Sequence, residues 1–166
     1  MSIVRLDSKD KNAVMSLFRS VTQDLQRQGI EQWDRFYPNG FVIGSDLRNK
    51  NLYGMKMDDQ IVAVVVLDAK QSGKYAALQW NDNRGKFACI HRLAVHPDYQ
   101  GRGLGKQLLQ FAENLSREQG NSSIRLDVYT KNPGAVGMYS RAGYRPVGEI
   151  KFPFRPVPYM CFEKCL

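Results

Sequence analysis

Seven consecutive residues carry the densest chemical signal in this sequence: Gln100-Gly101-Arg102-Gly103-Leu104-Gly105-Lys106. They stand where an apolar-periodic segment begins. A helix N-terminus presents N–H groups without intrahelical partners and a partial positive charge, so it receives anions. Glycine lets backbone approach phosphate oxygens with no Cβ in the way, and Arg102 and Lys106 add full charges. As a mere connection, glycines here would weaken the first helical turn by about 1 kcal/mol each. The segment therefore reads as a phosphate cradle. Two common cradles do not fit it. A P-loop needs glycine where Gln100 stands and Ser or Thr where Gln107 stands, so the magnesium-binding hydroxyl is missing. The dinucleotide fingerprint, started at Gly101, needs glycine where Lys106 stands, and it belongs early in a βαβ fold.

The elements around the cradle follow from periodicity. Residues 86–95 read as a strand leading through Pro97-Asp98 into the glycine turn, and 103–119 as a helix with a stripe at Leu104, Leu108, Phe111, Ala112 and Leu115 that Gly120 stops. Ile124, Leu126 and Val128 alternate with Arg125, Asp127 and Tyr129, a half-buried strand. Asn132-Pro133 opens another helix, with Asn as cap and Pro at the first position, and Gly143 ends it. Residues 144–151 and 158–164 read as closing strands.

The first half is simpler. Residues 3–6 form a short strand, and Asp7 or Ser8 can cap a helix whose stripe is Val14, Leu17, Phe18, Val21 and Leu25, ended by Gly29. Residues 30–50 are irregular, with one helical turn capped at Ser45-Asp46. Strands 51–57 and 60–68 flank Asp58-Asp59 as a hairpin, and the run Ile61–Leu67 is apolar on both faces, as in a covered central strand. Lys70 to Lys86 is polar and reads as an exposed loop with a short edge strand near Tyr75–Trp80. The order is that of an α/β sandwich with a mixed sheet in a single domain over residues 1–166.

The segment Leu93-Ala94-Val95-His96-Pro97 with Gln100, Gly103 and Gly105 resembles the strand and central motif of the GNAT superfamily of acyl-CoA-dependent N-acetyltransferases. A second motif lies in the next helix: Asn132-Pro133, Ala135, Tyr139 and Gly143-Tyr144. The resemblance implies a mixed, mostly antiparallel central sheet flanked by helices, with splayed fourth and fifth strands. It implies transfer of an acetyl group from acetyl-CoA to a primary amine by direct attack in a ternary complex. Backbone of Leu93, Ala94 and Val95 would meet the pantetheine arm, and Gln100, Gly101, Arg102, Gly103, Leu104, Gly105 and Lys106 the pyrophosphate. An N–H near Leu93 would stabilise the oxyanion. Tyr139 matches the family tyrosine facing the sulfur, a candidate general acid. Ala135, one turn before it, would border the cofactor. Asn132 caps its helix, contacts the cofactor, or does both.

The general base stays open. His91 lies on the fourth strand with a reference pKa of about 6.5, suited to proton removal; a packed or surface histidine fits equally. The strand-four glutamate common in the family is absent between Phe87 and Val95. The acceptor site is expected near residues 29–37, with Trp33, Phe36 and Tyr37 as an aromatic wall and Glu31, Asp34 or Asp127 attracting a cation. The acceptor is a small-molecule or protein amine.

Composition bounds the partners. The 166 residues are 43% hydrophobic and 24% charged, with a net charge of +8. The basic residues are scattered, which argues against a nucleic-acid face and for a solvated basic surface. No apolar run approaches a membrane span of roughly 18 residues, and the first ten residues lack a signal-peptide block. A cytoplasmic protein, monomer or homodimer, is expected. The odd count of three cysteines matches no disulfide framework. Cys161 and Cys165 could join His91 or His96 in a zinc site; their spacing favours thiols in strands and no metal.

Overall fold

The computed structural model describes residues 2–166. Seven strands run β1 (Ile3–Arg5), β2 (Leu52–Met57), β3 (Gln60–Asp68), β4 (Phe87–Val95), β5 (Ser123–Tyr129), β6 (Arg145–Ile150) and β7 (Tyr159–Cys165). Four helices join them: α1 (Lys11–Arg27), α2 (Gly40–Arg48), α3 (Leu104–Glu118) and α4 (Pro133–Arg141). The strands form a mixed sheet in the order β1-β2-β3-β4-β5-β7-β6, parallel between β4 and β5 and antiparallel at the ends. Two compact units share the chain: residues 1–67 with 92–108, and residues 68–91 with 109–166.

In the first unit, α1 forms on the expected stripe. Val14, Leu17, Phe18, Val21 and Leu25 are all buried, and each large apolar side chain so covered contributes about 1.5–3 kcal/mol. Asp7 caps a short 3-10 turn, Ser8–Asp10, in a capping box with Asp10. The β2–β3 hairpin turns through Asp58 and Asp59 at φ 48° and 64°, the left-handed pair that matches strand twist. From Ile61 to Leu67 every residue of β3 is buried.

One expectation fails in this unit. The short turn capped at Ser45-Asp46 is instead the interior of α2. The cap is Asn39, whose side chain accepts from the N–H groups of Phe41 and Val42 at 3.0 Å. Ser and Asp are common caps, but tertiary pairing of Asp46 overrides that preference.

In the second unit, two expectations change. Residues 70–86 are not simply an exposed loop with an edge strand. A 3-10 turn, Gly73–Ala77, sinks Tyr75 and the following Trp80 into a core with Cys89, Ile150 and Cys161. The Trp80 indole N–H donates to the Tyr75 carbonyl at 2.9 Å. Polar neighbours hid two aromatic anchors. Strand β5 is covered on both faces rather than half-buried, because Arg125 folds into the same core. Its guanidinium lies over Trp80 and Phe87, 4.4 and 4.3 Å from the ring centroids. Of the expected α3 stripe, Phe111 and Leu115 are only half-buried, while Leu109, Glu113 and Ser116 are buried. Glu113 can enter because Lys164 pairs with it.

Candidate active site

The glycine turn opens α3 as the sequence requires. Gly101 and Gly103 take φ 77° and 80°, and a Cβ at either would meet nothing within 4 Å. Glycine is needed here for the left-handed backbone rather than for room. The Gly103 carbonyl accepts the N–H of Gln107 at 3.1 Å. The N–H groups of Leu104, Gly105 and Lys106 therefore lie in the first turn, where no intrahelical carbonyl serves them. Gln100 braces the turn, its side-chain amide donating to the Val95 carbonyl at 3.1 Å. Arg102 stacks over Tyr99 at 5.0 Å and donates to the Asp98 carbonyl at 3.2 Å. Both Arg102 and Lys106 are exposed. Just before the turn, Ala94 is buried and Leu93 and Val95 are half-buried.

Sequence reasoning missed the residue that shapes this strand. Arg92 sits inside β4 at φ 46°, a left-handed backbone that costs about 1–2 kcal/mol for a residue with a Cβ. Its guanidinium grips Asp46 of α2 through two hydrogen bonds, 2.9 and 2.6 Å, and donates to the Tyr37 hydroxyl at 2.9 Å. Burial works against its charge, and Tyr37 and Asp46 outweigh that and raise its pKa. A lone arginine in an apolar strand was the available signal; its partner, 46 positions earlier, was not readable.

The expected aromatic wall divides. Trp33 is buried edge-on against Phe18, at 5.4 Å, and is core. Phe36 is exposed and Tyr37 is engaged by Arg92. Asp34 accepts from the N–H groups of Phe36 and Tyr37 at 2.8 and 3.0 Å, so it shapes the turn. Asp127 belongs to the other unit.

In that unit, β4 and β5 pair only from Phe87–Ser123 to Cys89–Arg125, although both strands continue. His91 follows on the face of Cys89. Its Nε2 lies 2.9 Å from Asp68 Oδ1 and 3.0 Å from the Lys70 carbonyl. Both partners are acceptors, so Nε2 carries the proton and only Nδ1 can receive one. Asp127 is half-buried and accepts the Tyr75 hydroxyl at 2.5 Å. Burial raises its pKa, against the opposing pull of Tyr75 and His91. Tyr75 is a functional candidate that the polar run 70–86 concealed.

The motif of α4 is assembled as expected. Asn132 Oδ1 accepts the Ala135 N–H at 3.2 Å and Pro133 takes the first position. Tyr139 is buried, edge-on to Tyr144 at 5.8 Å and tilted on Phe162 at 6.4 Å. Burial, then Asp127, push its phenol above its usual range, so Tyr139 keeps its proton at neutral pH. Cys89 and Cys161 are buried thiols, each pushed up to about 12 chiefly by burial. Among the described residues no His, Cys, Asp and Glu gather as a metal site, and no helix is long and apolar enough to cross a membrane.

Residues 15–144 match the Acetyltransferase (GNAT) family. The chain belongs to the GNAT acetyltransferase family. An uncharacterized N-acetyltransferase of Bacillus subtilis, YesJ, is 27% identical over 147 residues, which is 84% of this chain and 79% of that protein. A GNAT acetyltransferase of Streptococcus agalactiae has the same fold, with a TM-score of 0.86 at 20% identity over 99% of this chain and 95% of its own. The PaiA N-acetyltransferase of Thermoplasma acidophilum, solved in complex with coenzyme A, superposes with a TM-score of 0.73 at 18% identity, covering 99% and 98%.

Proposed function

We propose that this GNAT protein transfers an acetyl group from acetyl-CoA to a primary amine by direct attack in a ternary complex, as one domain and without a metal. The observation that carries the reading is the Gly101–Gly103 turn. Its two left-handed glycines aim the first turn of α3, and the motif residues Gln100, Gly103 and Gly105 span the same turn. Oriented N–H groups with Arg102 and Lys106 suit a pyrophosphate. Coenzyme A in the PaiA structure supports the same ligand here.

The residue roles are those that the family resemblance implies. Gln100 to Lys106 hold the phosphates, and backbone of Leu93 to Val95 receives the pantetheine amides. A strand N–H near Leu93 stabilises charge on the thioester oxygen. Ala135 leaves space beside α4, and Asn132 fixes that helix. Tyr139, protonated at neutral pH, donates a hydrogen bond as negative charge grows on the departing sulfur. His91 is placed to handle protons through Nδ1. The acceptor is a small-molecule or protein amine. Dependence on acetyl-CoA supports a cytoplasmic location.

Titration of the folded protein with acetyl-CoA in a calorimeter is expected to give micromolar-range binding, the usual span for such substrates. A CoA-thiol release assay over a broad amine panel is expected to find turnover. Absence of binding heat removes the cofactor assignment. Binding without thiol release from any amine reduces the protein to a CoA-binding module.

A further inference from the structure

Alternation assigns the faces of the sheet in the second unit. Directly opposed residues share a face, so Asp127 lies with Cys161, and Arg125 with Cys89. His91, two residues beyond Cys89, continues that face where β4–β5 pairing has stopped. Tyr75 closes over Asp127 from the 3-10 turn. Leu126 and Phe162 oppose each other on the other face, and Tyr139 packs there on Phe162. A carboxylate and the candidate acid thus occupy opposite faces near one interrupted strand pair. They are close enough for the Asp127 charge to act on the Tyr139 phenol.

Asp127 offers a proton acceptor in addition to Nδ1 of His91. The Nε2 edge of His91 is committed to Asp68 and Lys70. Asp127 has Oδ2 fixed by Tyr75, and Oδ1 has no hydrogen-bond partner among the described residues. Among the described residues, the groups that act on it or feel its charge include no Lys or Arg: Tyr75 from the 3-10 turn, His91 and Cys89 from β4, Cys161 from β7 and Tyr139 from α4. The Arg125 charge on β5 is spent on Gln71, the Asp82 carbonyl and two aromatic rings.

We propose that Asp127, held by Tyr75, receives the acceptor as an alkylammonium ion and removes the proton that must leave before nitrogen attacks. This rests on the acetyltransferase reading above and names the substrate class and the proton acceptor within it. The balance closes. The ammonium nitrogen loses one proton to Asp127, which passes it to solvent. The nitrogen lone pair then forms the C–N bond, the C–S bond breaks with its electrons on sulfur, and Tyr139 protonates that sulfur. The second nitrogen proton leaves the C–N adduct to solvent, and Tyr139 regains its proton from solvent. One amide, one CoA thiol and one free proton result.

The test compares Asp127→Asn and wild type at pH 7.5 with two kinds of acceptor. Lysine, spermidine and benzylamine arrive protonated; hydroxylamine arrives neutral and needs no proton removed before attack. Asp127→Asn is expected to lower kcat/KM for the best alkylamine by about 100-fold or more, to leave hydroxylamine acetylation within a few fold, and to bind acetyl-CoA as wild type does. Tyr75→Phe removes a bond that favours the ionised carboxyl, so the acid limb of the alkylamine profile is expected to move to higher pH. Equal loss with both acceptor kinds, an unmoved acid limb, or wild-type turnover of hydroxylamine but no alkylamine overturns the proposal. Failure of acetyl-CoA binding in wild type instead overturns the acetyltransferase reading.

Discussion

Asp46 and Asp127 are inward-placed carboxylates handled in opposite ways. Asp46, in the first unit, faces a guanidinium fork from Arg92 that never loses its charge. Asp127, in the second, has a neutral phenol for a partner and a histidine nearby. A carboxylate locked to arginine cannot exchange protons near neutral pH; its role is to fix backbone, here the left-handed kink in β4. A carboxylate without a permanent counter-charge is costly when ionised and gives way to protonation more readily. The type of partner, more than burial, separates structural acids from chemical ones.

The largest expected effect tests the structural side. Asp46→Ala leaves the half-buried Arg92 guanidinium without its carboxylate and should cost about 3 kcal/mol, read from denaturant unfolding. Asp127→Asn should leave neutral-pH stability nearly unchanged; a loss as large as that of Asp46→Ala would erase the contrast. Tyr139→Phe comes next. It should slow acetyl transfer by about 100-fold with acetyl-CoA affinity preserved, and equal loss of both would make Tyr139 a packing residue. Gly103→Ala should cost about 1–2 kcal/mol in the turn, seen as weaker acetyl-CoA binding with kcat retained.

The smallest effect sharpens the comparison by pH. The folded pKa of Asp127 lies above its unfolded value, so the native state binds more protons. Its contribution to stability is full in acid and is lost as pH rises from the ordinary aspartate value through the raised one. Asp127→Asn should flatten that segment of the stability–pH curve, measured by denaturant midpoints at several pH values.

These regions also differ in how legible they were. The glycine turn could be read from residues because it is local: Gly101, Gly103 and the start of α3 adjoin in sequence. The α1 stripe, the Asp58-Asp59 hairpin and the Asn132 cap were readable for the same reason. The proton site is built from Asp68, Tyr75, His91 and Asp127, which no short-range pattern connects. Tyr75 and Trp80 lie among polar residues, so mean polarity pointed outward while two aromatic anchors pointed in. Arg92 drew no reading because its partner is on another element, and Asp46 read as a cap because aspartate at a helix start is common.

The placement of the chain's two tryptophans has a spectroscopic consequence. Trp33 is edge-on to Phe18 in the first unit, and Trp80 is stacked by Arg125 beside Tyr75 in the second. Each unit thus carries its own fluorophore. In a Trp33→Phe protein the remaining emission comes from an indole bonded to the backbone of Tyr75. Its wavelength and quenching then follow the neighbourhood of Asp127 as acceptor amines are added, while a Trp80→Phe protein reports the other unit.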